Sequence, residues 1–378
     1  MKIVWISHDS QLEGAERCLL EALVGLVNKC EEIHVIVPRD GKLVPEIIGT
    51  TKFVHHIPYS WWTTTQREKI DLIDKSKQYI STTLKFIRLL KLLQPDIVVT
   101  NTLTIPWGAF AAKTLGIKHI WYIHEFLKED HGLMFELWEP LSLFLVDKLS
   151  DRLIVNSQAV FNKFSRYINQ SKLRKALYSV DIPNVAELID LWERDKNIFY
   201  ISLIGRKAPS KGQKEAIEAL AYLIKQKEMN VHLSLVGSEF DQDYVENLKN
   251  RVQELGIKGK VDFIPFVHNP LVYTKSSDIV LMCSQCEAFG RVTVEAMKLG
   301  KSVIASNSGA TPEIIEDGWN GLLYEPGNPV SLAEKIELLY KNKELREKLE
   351  VNAFKSANEK FNLDKYSSDL MLIFQEVA

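Results

Sequence analysis

The sequence has no uncharged apolar run near the ~18 residues that a membrane-crossing helix needs, so no transmembrane helix is expected. It has few cysteines, only Cys18, Cys30, Cys283 and Cys286 in 378 residues, which excludes a disulfide framework. Cys283 and Cys286 form a lone C-x-x-C. No second such pair and no H-x-x-x-H completes the four ligands of a structural zinc, so these cysteines read as small residues at a strand end. Charge of one sign is also lacking. The 47 basic and 49 acidic residues leave a formal net charge of −2, which argues against wholesale nucleic-acid binding. The opening "MKIVWIS" lacks the long apolar segment and small-residue cleavage site of a signal peptide, and a cytoplasmic chain is expected. Glycine is scarce where a dinucleotide fingerprint would need three: "SHDSQLEGAER" (7–17) contains only Gly14.

What is present is a repeating rhythm. Short apolar runs at 2–7, 33–38, 96–101, 118–125 and 151–157 alternate with amphipathic helical patterns at 15–28, 66–94 and 106–116. The rhythm resumes with strands at 199–205, 231–237, 261–267, 278–284 and 301–307, again separated by helices. Continuous apolar strands alternating with helices imply parallel sheets covered on both faces, an α/β class. The length suits about two domains. They are assigned to 1–185 and 197–361, with a polar linker over Asp181–Asn197 and a helix at about 362–378 that packs back on the first domain. In this class ligands bind at the carboxyl ends of the strands, here expected to face each other across a cleft.

The stretch "CSQCEAFGRVTVEAMKLGKSVIAS" (283–306) carries two glutamates, Glu287 and Glu295, eight positions apart. The spacing alone proves nothing, because Glu13/Glu21 and Glu246/Glu254 repeat it. Its context is a strand end, then Phe289-Gly290 as a turn into a helix starting near Arg291. A helix start offers amide N–H groups and partial positive charge that suit a phosphate, and Gly290 permits close approach. The pair reads as ligand-holding carboxylates beside a bound phosphate, with a hydrolase acid–base pair and plain helix-end charge as the alternatives. In "GRKAPSKGQ" (205–213), Arg206 and Lys211 are two cations at a strand end, able to clamp a diphosphate or simply to be solvated. His124, in "YIHEF", ends a strand and is either structural or a site residue.

Three other features carry weaker signals. Asp241 and Asp243 read as helix-capping residues rather than a metal pair. The helix 77–94 is basic and amphipathic. It reads as a covering helix on the sheet, with contact to anionic lipid as the alternative. Trp61 and Trp62, in "YSWWTTT", serve either an acceptor site or a local core. No motif marks the stretch around His55 and His56.

Taken together, "GAER", "IHE", "GRKAPSKG", "LVGSE", "SSDIVLMCSQCEAFGRVTVEAMKLGKSVIAS", "GATPEII" and "GWNGLLYEPG" resemble the family 4 glycosyltransferases, over nearly the whole chain and most strongly from Gly205 to Pro326. The resemblance implies the GT-B fold, two Rossmann-like parallel-sheet domains facing across a cleft. It implies a retaining, metal-independent transferase that moves a sugar from a nucleotide-sugar donor to a saccharide or lipid-linked acceptor, in bacterial-type polysaccharide or glycan synthesis, with no cofactor. By that resemblance Glu287 contacts donor-sugar hydroxyls and Glu295 holds the ribose. Arg206 and Lys211 neutralise the leaving diphosphate, and amides of Phe289, Gly290, Arg291 and Val292 bind its phosphates. Gly14 sits against the diphosphate and His124 reaches the transferred sugar. A nucleotide-sugar epimerase or hydrolase of the same fold, and a non-catalytic nucleotide-sugar-binding partner, are the alternatives. A peripheral location at the inner membrane face goes with the basic helix. Two departures stand out: Glu13 replaces a glycine common before "AE", and "IPNV" (182–185) lacks a glycine after Asn.

Overall fold

The structure, a computed structural model, describes residues 1–51, 53–65, 72–182, 195, 197–239 and 241–378. Most of the expected linker, including its 183–185 portion, and the first residues of the 66–94 helix lie outside the described residues. The chain divides into two compact units, Met1–Val180 with Phe361–Ala378, and Asp181–Lys360.

The first unit contains strands β1 (Lys2–Ile6), β2 (Glu32–Val37), β3 (Phe53–His56), β4 (Thr63–Thr64), β5 (Ile97–Asn101), β6 (Lys118–Ile123), β7 (Met134–Phe135), β8 (Arg152–Val155) and β9 (Leu173–Lys175). Seven of them form one parallel sheet in the order β3-β2-β1-β5-β6-β8-β9, while β4 and β7 make a small antiparallel ribbon. Ile3, Val4, Trp5 and Ile6 of β1 are all fully buried, as expected of a central strand covered on both faces. One cover is the Leu72–Leu93 helix, whose Phe86 and Leu90 pack in a core with Val4, Ile6, Val98 and Trp107. The helix Trp107–Leu115 ends at Gly116, whose φ of 71° is the left-handed cap that glycine adopts without penalty. The C-terminal helix Leu363–Gln375 starts at Asn362, which caps it through Lys365 N, and packs on the Gly14–Leu26 helix.

The second unit contains β10 (Phe199–Ile204), β11 (Val231–Val236), β12 (Val261–Ile264), β13 (Ile279–Met282), β14 (Ser302–Ser306) and β15 (Leu322–Tyr324), parallel in the order β12-β11-β10-β13-β14-β15. Its core joins Ile201, Leu203, Leu233, Leu235, Ile279 and Leu281 to the helices Gln213–Lys227 and Pro329–Lys341.

Both sheets reverse their strand order once, between β1 and β5 and between β10 and β13. Loops leaving the carboxyl ends of such a strand pair diverge to opposite faces and open a crevice. The candidate site residues of the second unit follow β10 and β13; those of the first follow β1 and β6.

Candidate functional site

In the second unit the loop after β10 is fastened from below. Gly205 has φ 156° and Gly237 has φ 151°. A Cβ on Gly237 would lie 2.1 Å from the Gly205 carbonyl oxygen, so only glycine permits this approach. Lys207 is fully buried, and its Nζ donates to the carbonyls of Gly237 (2.7 Å) and Ile264 (2.6 Å), with Glu239 at 3.6 Å. Burial lowers its pKa and Glu239 opposes that shift. This lysine satisfies strand-end carbonyls and ties the loop to β11 and β12. That leaves Arg206 and Lys211 as the half-buried cations beside it. Sequence reasoning did not single out Lys207. Its only signal was a second cation next to Arg206, which does not distinguish a buried ammonium from a solvated one.

The same loop meets the end of β13. Gln285 N donates to Ser210 O (2.9 Å), and a Cβ on Gly212, at φ 70°, would sit 2.1 Å from the Cys283 carbonyl. Lys211 Nζ then reaches Glu287 Oε2 at 2.9 Å, both side chains being about one-fifth exposed. Two residues assigned to separate roles are thus in direct contact across 76 positions of chain. The loop after β14 closes over the Glu287 peptide: Ala310 N donates to Glu287 O (2.8 Å), and a Cβ on Gly309 (φ 55°) would lie 2.5 Å from that oxygen.

Glu287 leads into the helix Arg291–Lys298, capped by Gly290 at φ 100°. A glycine cap has no side chain to occupy the helix start, so its positive end is not answered from the cap position. Phe289 and Gly290 are buried, and Glu295, one turn in, lies 3.9 Å from Arg291 Nε. Cys283 is buried, and burial pushes its thiol up to about 12, which makes it a poor nucleophile. Asp241 caps the helix Gln242–Glu254 through Tyr244 N at 2.9 Å.

In the first unit Gly14 opens the helix Gly14–Leu26, and nothing lies within 4 Å of where its Cβ would be. The residue before it, Glu13, is the exposed N-cap of a capping box with Glu16, and Glu13 N donates to Glu16 Oε2 at 3.3 Å. Glu16 thus reaches back to the start of its own helix. Glu16 is buried, and burial pushes its carboxyl up to about 8. His8, 3.2 Å away, is held down to about 4, also by burial.

His124 follows β6 with both ring nitrogens engaged, Nε2 with Asn101 Oδ1 at 2.6 Å and Nδ1 with the Tyr178 hydroxyl. Asn156 Nδ2 donates to Tyr178 (2.8 Å) and to the His124 carbonyl (3.0 Å). Asn101 Nδ2 donates in turn to Ala15 O at 3.3 Å, so this network joins His124 to the helix turn at Gly14. Glu125 beside it is buried, accepting from Leu103 N (2.7 Å) and His124 N (3.1 Å). Burial, aided by Asp130, pushes it up to about 8. Asn101, Asn156 and Tyr178 belong to no motif in the sequence, and Glu125, within "IHE", carries no assigned role there.

The tryptophan pair splits. Trp62 is buried, stacked on Trp121 with centroids 6.0 Å apart, and bonded to Leu103 O at 2.5 Å, whereas Trp61 is partly exposed over His8. His55 bonds His34 at 3.0 Å along the β2–β3 edge.

Among the described residues no helix is long and apolar enough to cross a membrane.

The chain matches two family models, Glycosyltransferase Family 4 over residues 12–174 and Glycosyl transferases group 1 over residues 186–356. An uncharacterized glycosyltransferase of Haemophilus influenzae is 29% identical over 273 residues, 71% of this chain and 73% of that one. The capsular polysaccharide biosynthesis glycosyltransferase CapM of Staphylococcus aureus is 28% identical over 164 residues, 43% and 42% of the two chains. The alignments span about half the length of the first curated relatives matched. Anabaena Alr3699/HepE, solved in complex with UDP, superposes over 100% of both chains with a TM-score of 0.82 at 24% identity, a likeness of fold. The two parallel-sheet units are those of a GT-B protein, and the chain belongs to the family 4 glycosyltransferases.

Proposed function

We propose that the chain transfers a sugar from a nucleotide-diphosphate donor to a saccharide or lipid-linked acceptor, with retention at the anomeric carbon and without a metal, in the synthesis of a bacterial-type polysaccharide or glycan. The observation that carries this reading is the Lys211–Glu287 contact beside the glycine-capped helix start. An ammonium, a carboxylate and a glycine-capped helix start converge at the strand-order reversal of the second sheet. Breaking the bond from the anomeric carbon to the β-phosphate leaves negative charge on the diphosphate. Lys211, Arg206 and the amides of Phe289, Gly290, Arg291 and Val292 are the groups that answer that charge, most strongly in the transition state. The acceptor oxygen bonds the anomeric carbon, and its proton passes to the departing phosphate. Glu287, an acceptor of hydrogen bonds only, takes sugar hydroxyls once the donor competes for Lys211. Glu295 takes those of the ribose.

From the first unit, Gly14 contributes its open turn and His124 a ring held in place by Asn101 and Tyr178. A hydroxyl ligand of His124 displaces one of those two partners. CapM supports a polysaccharide setting by its name, and the UDP bound to HepE makes uridine diphosphate the first nucleotide to try.

The test is a thermal-shift series with nucleoside diphosphates and monophosphates, followed by donor consumption with and without acceptors, in chelator throughout. A diphosphate stabilises the chain more than its monophosphate, and consumption needs an acceptor. Donor consumed at full rate without one, or activity lost to the chelator, overturns the reading.

A further inference from the structure

The Leu72–Leu93 helix turns its core stripe inward and leaves a second face uncovered. Ile80, Leu84 and Leu92 are 63%, 47% and 79% exposed. Single exposed apolar residues are ordinary. These three share one face with Lys77, Lys85, Arg88 and Lys91, all exposed. At 100° per residue, positions 77, 80, 81, 84, 85, 88, 91 and 92 fall within an arc of about 140°. The opposite side carries Phe86 and Leu90, which are buried in the core. From Lys75 to Leu93 the sequence has five cations and no acid. Lys85, Arg88 and Lys91 make no ion pair among the described residues; Lys75 is engaged with Glu136.

A second helix with exposed apolar residues provides the contrast. Lys343–Lys360 exposes Val351 and Phe354, but its lysines and arginine alternate with Glu344, Glu347, Glu350 and Glu359. That face carries nearly balanced charge and favours no charged surface. The face at 77–92 carries one sign of charge interleaved with aliphatic side chains.

We propose that this face docks the protein on an anionic lipid bilayer, with Lys77, Lys85, Arg88 and Lys91 at the headgroups and Ile80, Leu84 and Leu92 entering the interface. Cations alone suit any polyanion, but a nucleic acid or acidic glycan gives the three aliphatic side chains nothing to bury against. An anionic bilayer engages both sets. The stripe runs about 22 Å along the helix axis, long enough to lie flat on a surface. The inference is independent of the donor reading, because none of these residues belongs to the site described above.

The test is sedimentation of the full chain with vesicles of phosphatidylcholine alone or mixed with phosphatidylglycerol. Binding is expected to the mixed vesicles only, and to weaken as salt rises. Each cation near such a surface is worth roughly fivefold in partitioning, so Lys85→Ala/Arg88→Ala/Lys91→Ala lowers it by about 10² with an unchanged melting midpoint. Leu84→Ser/Leu92→Ser, which keeps every charge, weakens binding while leaving its salt dependence. Should the triple variant fail to fold, Arg88→Ala alone tests the charge, with about a fivefold loss expected. No binding to the mixed vesicles, equal binding to phosphatidylcholine alone, or cation variants that bind like the parent overturns the proposal. So does loss of binding in Phe144→Ser, on another exposed apolar face, with the 77–92 variants unaffected.

Discussion

Each unit starts a helix near the carboxyl end of a strand at its sheet's reversal point, and the two starts differ in electrostatic character. The Gly14–Leu26 helix is closed by its own acids: Glu13 caps it, and Glu16 reaches back to Glu13 N while buried beside His8. The Arg291–Lys298 helix is capped by a glycine, with Lys211 and Glu287 held nearby. Similar strand-to-helix turns thus yield one helix start with an acidic capping box and one whose cap position carries no side chain. The difference suits the second unit's helix start, rather than the first's, to the negative charge of a diphosphate.

The sharpest way to break this contrast is to remove the charged pair. Lys211→Ala and Glu287→Ala are each expected to lower turnover by about 10²–10³, by analogy with removal of an oxyanion-hole donor. Because the two side chains touch, the double variant should lose less than the sum of the single losses, which steady-state kinetics on folded protein checks. Near-parental turnover in either single variant would remove the pair from the site.

A smaller effect is expected at the first helix start. Burial raises Glu16 from its ordinary 4.5 to about 8, so the folded state holds that proton more tightly than the unfolded chain. Its favourable contribution is complete below about 4.5 and is lost as pH rises through about 8. Glu16→Gln cannot ionise. Its stability relative to the parent should therefore rise between these limits, as denaturant melts across that range would show. A difference that stays flat with pH would mean Glu16 is already ionised in the folded chain.

The mildest comparison uses the two glycines themselves. At Gly290 the φ of 100° makes alanine costly, about 1–2 kcal/mol, although its Cβ would meet neighbours only at 3.4 Å and beyond. At Gly14 nothing stands within 4 Å, and Gly14→Ala should leave the melting midpoint unchanged. Equal destabilisation of the two variants would erase the distinction between the helix starts.

Much of this architecture was legible in the sequence, and the reasons are physical. Central strands such as 2–6, 97–101 and 279–282 are apolar on both faces and announce themselves. Edge strands do not: Phe53–His56 is half solvated and carries two histidines, and Leu322–Tyr324 is only three residues long. Helix Arg291–Lys298 and the place of Glu295 within it followed from the Phe289-Gly290 turn. The Lys211–Glu287 contact, the buried Lys207 and the Asn101–His124–Tyr178 chain did not, because each joins residues brought together only by strand order. The tryptophan pair shows the same limit, since adjacent identical residues took opposite environments.

The most direct test of the central claim is a crystal structure of the chain with a nucleoside diphosphate bound. The account expects the β-phosphate within hydrogen-bonding distance of Lys211 Nζ and of amides in Phe289–Val292, with Glu287 released toward the sugar position. A nucleotide bound elsewhere, with Lys211 still paired to Glu287 and the Gly290 turn facing bulk water, would contradict it.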